Sequence, residues 1–559
     1  MRRRTPLSDD TPGRTGTKQG WNPLTLAAIA GAWTATLPNW PLWQALLALP
    51  ETRTARGVLF VLAFGAMIAA LTTLLLAAFG WRPLVKPAIA FSLVAAALGA
   101  HFMGTYGVVI DSTMMTNVLQ TDPREVRDLL GLHLLGSLLV LGVLPAWLLW
   151  RLPLQRLTWP AQAGRNVLGA LAALVLVVGL GFAFFADLSS TMRNHRSMRY
   201  LINPVNSYYA LADIAVRTTA QPAGPPAVVG ADARVLPRDA GALPPLLLLV
   251  VGETARADHF SLNGYPRPTN PELAALPGVV SFRNVTSCGT NTAASLPCMF
   301  SHLGREAFAD RKRAHENLLD VVQRAGMAVL WLDNQSGCKG LCERVPSAQA
   351  STAAAGAPAL PAGLCASDEC LDGALLHGLD ARLAALPAEA RARGVLIVLH
   401  QMGSHGPAYS RRSPPDRKPF VPECTDTALQ RCDRAALVNA YDNSIAYTDH
   451  VLAGAVAWLQ RQSPHHTPAL LYVSDHGESL GENNLYLHGL PYAVAPAEQK
   501  HVPMVLWQGG AAAAPACLER QRERALSHDN LFHSTLGLLG VRAAEYQPAL
   551  DAFAACRMP

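Results

Sequence analysis

The stretch Leu246-Leu247-Leu248-Leu249-Val250-Val251-Gly252-Glu253-Thr254 is an unbroken apolar run that stops at a glycine and a carboxylate. It does not alternate, so it does not suit a strand with one wet face. Continuous apolar runs of this length suit strands buried on both faces of a parallel sheet. The pattern recurs downstream. Ala328–Leu332 runs into Asp333-Asn334-Gln335, Val395–Leu399 into His400, and Ala469–Val473 into Ser474-Asp475-His476. Val502–Trp507 is a further candidate strand. Helical-length segments separate the runs, which predicts an α/β domain with a mainly parallel central sheet over residues 245–559.

In such sheets ligands collect outside the carboxyl ends of the strands. Here those ends carry Glu253, His400, Asp475 and His476, four potential metal or phosphate ligands on one edge. Each has a plain structural alternative. Glu253 caps a helix near Thr254, His400 is a satisfied core histidine, and Asp475-His476-Gly477 is a turn. Their shared position at one edge favours a site. The block Ser287-Cys288-Gly289-Thr290-Asn291-Thr292-Ala293-Ala294-Ser295-Leu296-Pro297-Cys298-Met299-Phe300-Ser301 adds hydroxyls at a predicted helix start. Free N–H groups there suit a phosphate. A hydroxyl is a weak nucleophile until a base or a metal activates it, and zinc held by Glu253, Asp475 and His476 supplies that activation. The alternative is that Thr290 and Thr292 only cap the helix.

The chain before residue 190 is different. Of 559 residues, 50% are hydrophobic and 15% charged, against about 25% charged in a soluble globular protein. The deficit concentrates in five apolar runs near Leu24–Leu49, Gly57–Phe79, Pro87–Ile110, Leu129–Trp150 and Val167–Ala186. Each is about 20 residues or more, enough to cross a hydrocarbon core as a helix. Pro38 and Pro41 interrupt the first. Five runs so close together argue against buried helices of a soluble core, and against a cleaved signal peptide. Arg2, Arg3, Arg4, Arg14 and Lys18 precede the first run; Arg82 and Lys86 follow the second; Arg151, Arg156 and Arg165 follow the fourth. The positive-inside rule puts these segments in the cytoplasm and exports everything after about residue 187. Arg53 and Arg56 are a mild exception. The net charge of +6 is small for this length and gives no indication of nucleic-acid binding.

All ten cysteines lie at or after Cys288, in the half predicted to be exported, where disulfides persist. Close spacings suggest local staples, although spacing does not settle connectivity. Zinc binding by cysteines is the rival, but no paired C-x-x-C sets occur. Between the halves, Ser197–Arg217 reads as an amphipathic segment with Tyr200, Tyr208 and Tyr209 at interface-like positions, or as an ordinary linker helix. Gln221–Pro245 is rich in Pro, Gly and Ala and reads as a flexible tether. Ala348–Gly363 reads as a surface loop.

At four blocks the chain resembles the phosphoethanolamine transferases that modify lipid A, a family that includes the mobile colistin-resistance enzymes and belongs to the alkaline-phosphatase and sulfatase superfamily. The blocks are Val251–His259, Cys288–Ser301, His400-Gln401-Met402-Gly403-Ser404-His405-Gly406-Pro407 and Ser474-Asp475-His476-Gly477-Glu478-Ser479-Leu480-Gly481-Glu482. The resemblance covers essentially the whole length. It implies a five-span membrane domain (1–190) with a lipid-contacting periplasmic loop near 111–127, a bridging helix and linker (191–244), and a periplasmic catalytic domain (245–559).

The resemblance also implies roles. Thr292 matches the nucleophile, and Glu253, Thr292, Asp475 and His476 match the primary zinc ligands. Lys339, His400, His405 and His488 match residues around the donor phosphate, with His405 and His488 able to hold a second zinc. Of these, His405 and His488 are the first candidates for the general acid. Asn117, Thr121 and Glu125 match donor-lipid contacts; the plain alternative is a solvated loop. The implied disulfides are Cys288–Cys298, Cys338–Cys342, Cys365–Cys370, Cys424–Cys432 and Cys517–Cys556. The implied activity is transfer of phosphoethanolamine from phosphatidylethanolamine to a phosphate of lipid A, by a monomer in the bacterial inner membrane, giving resistance to polymyxin and cationic peptides. Three alternatives stand beside it. One is the same chemistry on a core heptose or a periplasmic glucan, another is glycerol-phosphate transfer, and the third is a membrane sensor without catalysis. Sulfatase activity is disfavoured, because Ser295-Leu296-Pro297-Cys298-Met299 ends in Met where a formylglycine motif needs Arg.

Overall fold

The computed structural model describes residues 20–121, 126–127, 129–220, 224–366, 369–510 and 516–557. They form two compact units. One holds the chain up to Ala100 with Gly136–His195 and Ile202–Val205; the other holds His101–Leu135, Arg196–Leu201 and everything from Asn206 onward.

Four helices among the described residues are long and apolar enough to cross a membrane: Ala55–Ala77, Val85–Tyr106, Leu132–Arg151 and Trp159–Ala183. Their 20 to 25 residues rise about 30 Å or more at 1.5 Å per residue. On the last of them Val175 and Phe182 are 70% and 78% exposed, which suits contact with lipid and not a soluble core.

The fifth expected span is not one helix. Pro23–Thr34 and Trp40–Leu47 are separate helices joined through a 3₁₀ turn at Leu37–Asn39. Pro38 and Pro41 lack the N–H groups that would continue the ladder. Asn39 Nδ2 donates to the stranded carbonyl of Thr34 at 2.6 Å. In Leu132–Arg151 the turn widens to π geometry over Leu138–Val143. Pro145 cannot donate to the carbonyl four residues back, and that carbonyl, Leu141 O, accepts Trp33 Nε1–H at 3.0 Å instead.

The second unit is built on an eight-stranded sheet: β1 (Pro245–Gly252), β2 (Val279–Thr286), β3 (Ala328–Asp333), β4 (Ser347–Gln349), β5 (Val395–His400), β6 (Thr467–Ser474), β7 (His501–Gln508) and β8 (Leu526–Ser527). Their order across the sheet is β8-β2-β7-β6-β1-β5-β3-β4. All neighbours are parallel except β7, which runs antiparallel to both β2 and β6. An apolar run does not encode direction, so β7 was legible as a strand but not as a reversed one.

β1 sits at the centre. Leu247, Leu249 and Val251 pack into the core on one face; Leu246, Leu248 and Val250 pack into the core on the other. Burying each such side chain contributes about 1.5–3 kcal/mol. The 29-residue helix Arg434–Gln462 covers the second face; Asp433 caps it by accepting from Ala435 N and Ala436 N. Register aligns the strand ends, with Val251 opposite His400 and Gly252 opposite Ser474.

Two loops differ from expectation. Ser347–Gln349, at the start of the expected surface loop, pairs with Trp331–Asp333 as an edge strand. The expected tether is tied down over its described part. Arg234–Val235 pairs with Val541–Arg542, and Ala227 N donates to Ala314 O at 2.9 Å. Its backbone groups are not spent on local helix, so they bond to neighbouring loops. Residues 221–223 of that stretch lie outside the described residues. The bridging segment folds as a 3₁₀ turn, Arg196–Leu201, followed by the helix Val205–Ala220.

Candidate active site

Glu253 follows β1 directly, Asp475 and His476 follow β6, and Thr292 opens the helix Thr292–Met299. Asn291 caps that helix, its Oδ1 accepting from Ala294 N at 2.9 Å. Thr292 is therefore at the first helical position, beside N–H groups with no partner inside the helix. Its hydroxyl lies 3.1 and 3.0 Å from the two oxygens of Glu253 and 3.4 Å from His476 Nε2. His476 Nε2 in turn lies 3.2 Å from Glu253 Oε1 and 3.3 Å from Asp475 Oδ2.

The tautomer of His476 is fixed. Its Nδ1 lies 2.9 Å from Gly477 O. A carbonyl only accepts, so Nδ1 carries the proton and the Nε2 lone pair faces Thr292. Asp475 Oδ1 accepts from Thr254 N at 3.2 Å and from His476 N at 2.7 Å. Its Oδ2 is buried without a hydrogen-bond partner. Glu253, Asp475 and His476 bring one ligand atom each to within 4.8 Å of one another. Burial, with the charge of Glu253 beside it, pushes Asp475 up to about 7, and burial pushes Glu253 up as well. Two buried carboxylates, one with an orphaned oxygen, and a histidine lone pair aimed at the same space fit a divalent cation, which would reverse both shifts.

A second layer surrounds this centre. Gln335 Nε2 donates to Glu253 Oε2 at 3.0 Å. The ring of His488 lies tilted 4.4 Å from that of His476 and edge-on 5.5 Å from that of His405, centroid to centroid. Its Nδ1 lies 3.1 Å from Glu478 Oε2. Burial alone would lower His488, but Glu478, Glu253 and Asp475 outweigh it and hold it at about 9. His405 goes the other way, pushed well below its usual value by burial, with the charges of His488 and Arg412 adding to it. The environment thus separates two neighbouring histidines into one that holds a proton and one that does not. His400 Nδ1 lies 3.3 Å from Asp333 Oδ2.

Asn117 lies on the helix Ser112–Leu119, which Asp111 caps by accepting from Met114 N at 2.8 Å. Thr121 follows that helix and donates its hydroxyl to Asn117 O at 2.8 Å. Lys339 Nζ reaches this segment, donating to Gln120 O at 3.2 Å and to Ser336 Oγ at 2.9 Å. Glu125 lies outside the described residues. The five cysteine pairs are all joined: Cys288–Cys298, Cys338–Cys342, Cys365–Cys370, Cys424–Cys432 and Cys517–Cys556.

Sequence reasoning gave no role to Asp333, Gln335, Glu478 or His528. Asp333 ends β3 and Gln335 follows it, at one of the predicted strands, so position was the available signal. Among the described residues, the non-glycine residues Thr254, Lys339, Asn483, Asn484 and Leu487 adopt left-handed φ of 52°, 49°, 53°, 59° and 61°. Such backbone is costly for non-glycine residues and gathers at functional sites. Thr254 adjoins Glu253 and Leu487 adjoins His488.

A hydroxyl at a helix start facing two carboxylates and a histidine, at the carboxyl edge of a mainly parallel sheet, is the make-up of a transferase or hydrolase site of the sulfatase-like kind. The profile of the sulfatase family matches residues 245–541, and the profile described as phosphoethanolamine transferase EptA/EptB matches residues 68–219. The chain is 41% identical to the phosphoethanolamine transferase EptA of Escherichia coli K12 over 533 residues, 92% of this chain and 93% of that one. It is 38% identical to the phosphatidylethanolamine transferase Mcr-1 of Escherichia coli over 486 residues, 86% and 88% of the two chains. Its structure resembles the integral membrane lipooligosaccharide phosphoethanolamine transferase A (EptA) of Neisseria meningitidis with a TM-score of 0.87 and 32% identity, covering 96% of this chain and 99% of that one. The chain belongs to the EptA family of phosphoethanolamine transferases.

Proposed function

We propose that the protein moves phosphoethanolamine from phosphatidylethanolamine to a phosphate of lipid A through a covalent ester on Thr292. The observation that carries this reading is the Thr292 hydroxyl, 3.0–3.1 Å from both oxygens of a fully buried Glu253. Glu253 accepts the Thr292 proton as the hydroxyl oxygen attacks phosphorus. The bond from phosphorus to the diacylglycerol oxygen breaks, and that oxygen takes a proton from His488, the histidine its surroundings keep charged. An oxygen of the lipid A phosphate then attacks the same phosphorus. The lipid A phosphate gives up its proton to His488 as it attacks, the Thr292–phosphorus bond breaks, and the Thr292 oxygen regains the proton held by Glu253. Lys339, on the segment that touches Gln120, is suited to neutralise the phosphoryl oxygens as charge builds.

Glu253, Asp475 and His476, with the Thr292 oxygen, would hold one zinc ion, and His405 and His488, the latter only once it has given up its proton, are the candidates for a second. Zinc when bound lowers the pKa of a ligated hydroxyl and draws charge from phosphoryl oxygens. Asn117, Thr121 and Glu125 would contact the donor lipid, and His400 the donor phosphate.

The same reading divides the chain into a membrane domain (1–190), a bridge (191–244) and a catalytic domain (245–559). It puts the protein in the bacterial inner membrane as a monomer, with the catalytic domain in the periplasm. Four long apolar helices and ten disulfide-bonded cysteines support this placement.

The test is purified protein with headgroup-labelled phosphatidylethanolamine. A labelled peptide containing Thr292 is expected, absent in Thr292→Ala. Label retained in Thr292→Ala would refute the nucleophile. Mass spectrometry of lipid A from cells with and without the protein should show added phosphoethanolamine. Addition to a core sugar or a glucan instead would redirect the acceptor.

A further inference from the structure

Asp372 is buried 4% exposed behind the active-site loop and touches none of the residues assigned above to chemistry. Its Oδ1 accepts from Asn334 Nδ2 and from Met402 N, both at 2.8 Å, and its Oδ2 accepts from Gly403 N at 2.8 Å. A carboxylate removed from water is costly unless such donors compensate it. Burial pushes its pKa up, and the three donors oppose that.

The three donors come from two segments that both reach Glu253. Gly403 has φ +52°, and a Cβ placed there would stand 2.7 Å from Glu253 O and 2.9 Å from Glu253 N. The next residue, Ser404, donates its N–H to Glu253 O at 3.0 Å, and Gln401 N donates to Val251 O at 3.0 Å. The loop backbone therefore lies directly on the peptide of Glu253. It continues into His405, whose N–H donates to Met402 O at 3.2 Å. On the other side, Asn334 precedes Gln335, which holds Glu253 Oε2. Asn334 also donates its N–H to His400 O at 2.9 Å and Nδ2–H to Cys370 O at 2.9 Å.

We propose that Asp372 is a positioning residue for the transfer reaction. It fixes the loop Gln401–His405 and the segment Asn334–Gln335 against Glu253, and so sets the Glu253 carboxylate and the His405 ring relative to the Thr292 hydroxyl. This rests on the transferase reading above. Partners of this kind hold reacting groups to within fractions of an ångström, and their loss costs about 10- to 100-fold in metal affinity or activity.

Asp372→Asn is the sharpest probe. The side chain keeps one oxygen for Asn334 and Met402 but turns an amide NH₂ toward Gly403 N–H, donor against donor. The measurement is the rate of Thr292 labelling per folded, zinc-loaded molecule across donor concentrations, in full-length detergent-solubilised protein. A fall of about 10- to 100-fold in the maximal rate is expected, with KM for phosphatidylethanolamine unchanged. A residue that only holds the fold together would lower the thermal midpoint and the yield but leave that per-molecule rate alone, and this result overturns the proposal. A change confined to KM overturns it too. If Asp372→Asn gives no folded protein, Asn334→Ala decides, since it removes one donor and leaves both backbone N–H groups in place. A reduced maximal rate supports the clamp and a wild-type rate overturns it. Wild-type protein that never labels Thr292 counts against the transferase reading instead.

Discussion

His528 Nδ1 accepts the backbone N–H of Cys288 at 3.0 Å. Its other nitrogen lies 2.9 Å from Ser474 O, so Nε2 carries the proton and the ring is neutral. One imidazole thereby ties the loop before Thr292 to the strand end before Asp475. Burial holds its pKa down at about 4. The unfolded chain binds this proton from about pH 6.5 downward, whereas the folded chain resists it until about pH 4. Stability from this group is thus complete above pH 6.5 and is lost as pH falls toward 4. The full swing is on the order of 3 kcal/mol. We expect the thermal midpoint of the wild-type protein to fall across this window and the slope to flatten in His528→Asn. Parallel curves for the two proteins would show that His528 does not carry the effect.

The cap at Asn291 aims the Thr292 hydroxyl. Asn291 Oδ1 satisfies Ala294 N while its own backbone stays extended at φ −153°, ψ 161°. Losing such a cap costs about 0.5–2 kcal/mol. Asn291→Ala should therefore lower the thermal midpoint and slow Thr292 labelling together. Asn291→Ser, which can still accept from the helix N-terminus, should recover most of both. Equal behaviour of the two variants would mean that the cap is not what orients Thr292.

The sheet and the primary cluster were legible because both rest on local patterns. Leu246–Val251 is apolar on both faces in sequence and in the fold, and the residues that follow β1 and β6 are the ones that converge, while His400 at the end of β5 pairs with Asp333 instead. The partners of the cluster were not legible. Asp372 lies 30 residues from Met402 and 38 from Asn334, and His528 lies 240 from Cys288. Such pairs are set by strand order, which no local pattern encodes. The first membrane run differs from a single helix for a related reason. Its composition suits a span, but two prolines break its ladder, and the cost of a proline depends on where the carbonyls go. At Pro145 a tryptophan supplies a donor and the helix continues; at Pro38 an asparagine side chain caps the break and the helix ends.

Lys339 holds left-handed backbone at φ 49° while its ammonium spans Ser336 and Gln120. A charge fixed this way is available to phosphoryl oxygens without further ordering. Lys339→Gln should keep the fold and reduce the maximal rate of Thr292 labelling by about 100-fold, the scale of removing one preorganised stabiliser of developing charge. Lys339→Arg should recover only part of it, because the forked guanidinium does not reproduce a compact ammonium. A wild-type rate in Lys339→Gln would remove this residue from the chemistry.

Metal removal should be felt in stability as well as in rate. Without a cation, Glu253 and Asp475 are two buried carboxylates that burial pushes upward, Asp475 further by the charge of Glu253, and Asp475 Oδ2 has no hydrogen-bond partner. A cation bound only by the folded state adds about 2.7 kcal/mol at a free concentration 100 times its Kd. A strong chelator should therefore abolish Thr292 labelling and lower the thermal midpoint, with zinc restoring both. Asp475→Asn removes one ligand charge and also the repulsion. Its thermal midpoint should respond much less to the chelator, even though its labelling is already lost. A wild-type midpoint that ignores the chelator would mean that these three residues hold no structural charge partner. A midpoint that responds equally in Asp475→Asn would put the responsible metal elsewhere in the chain.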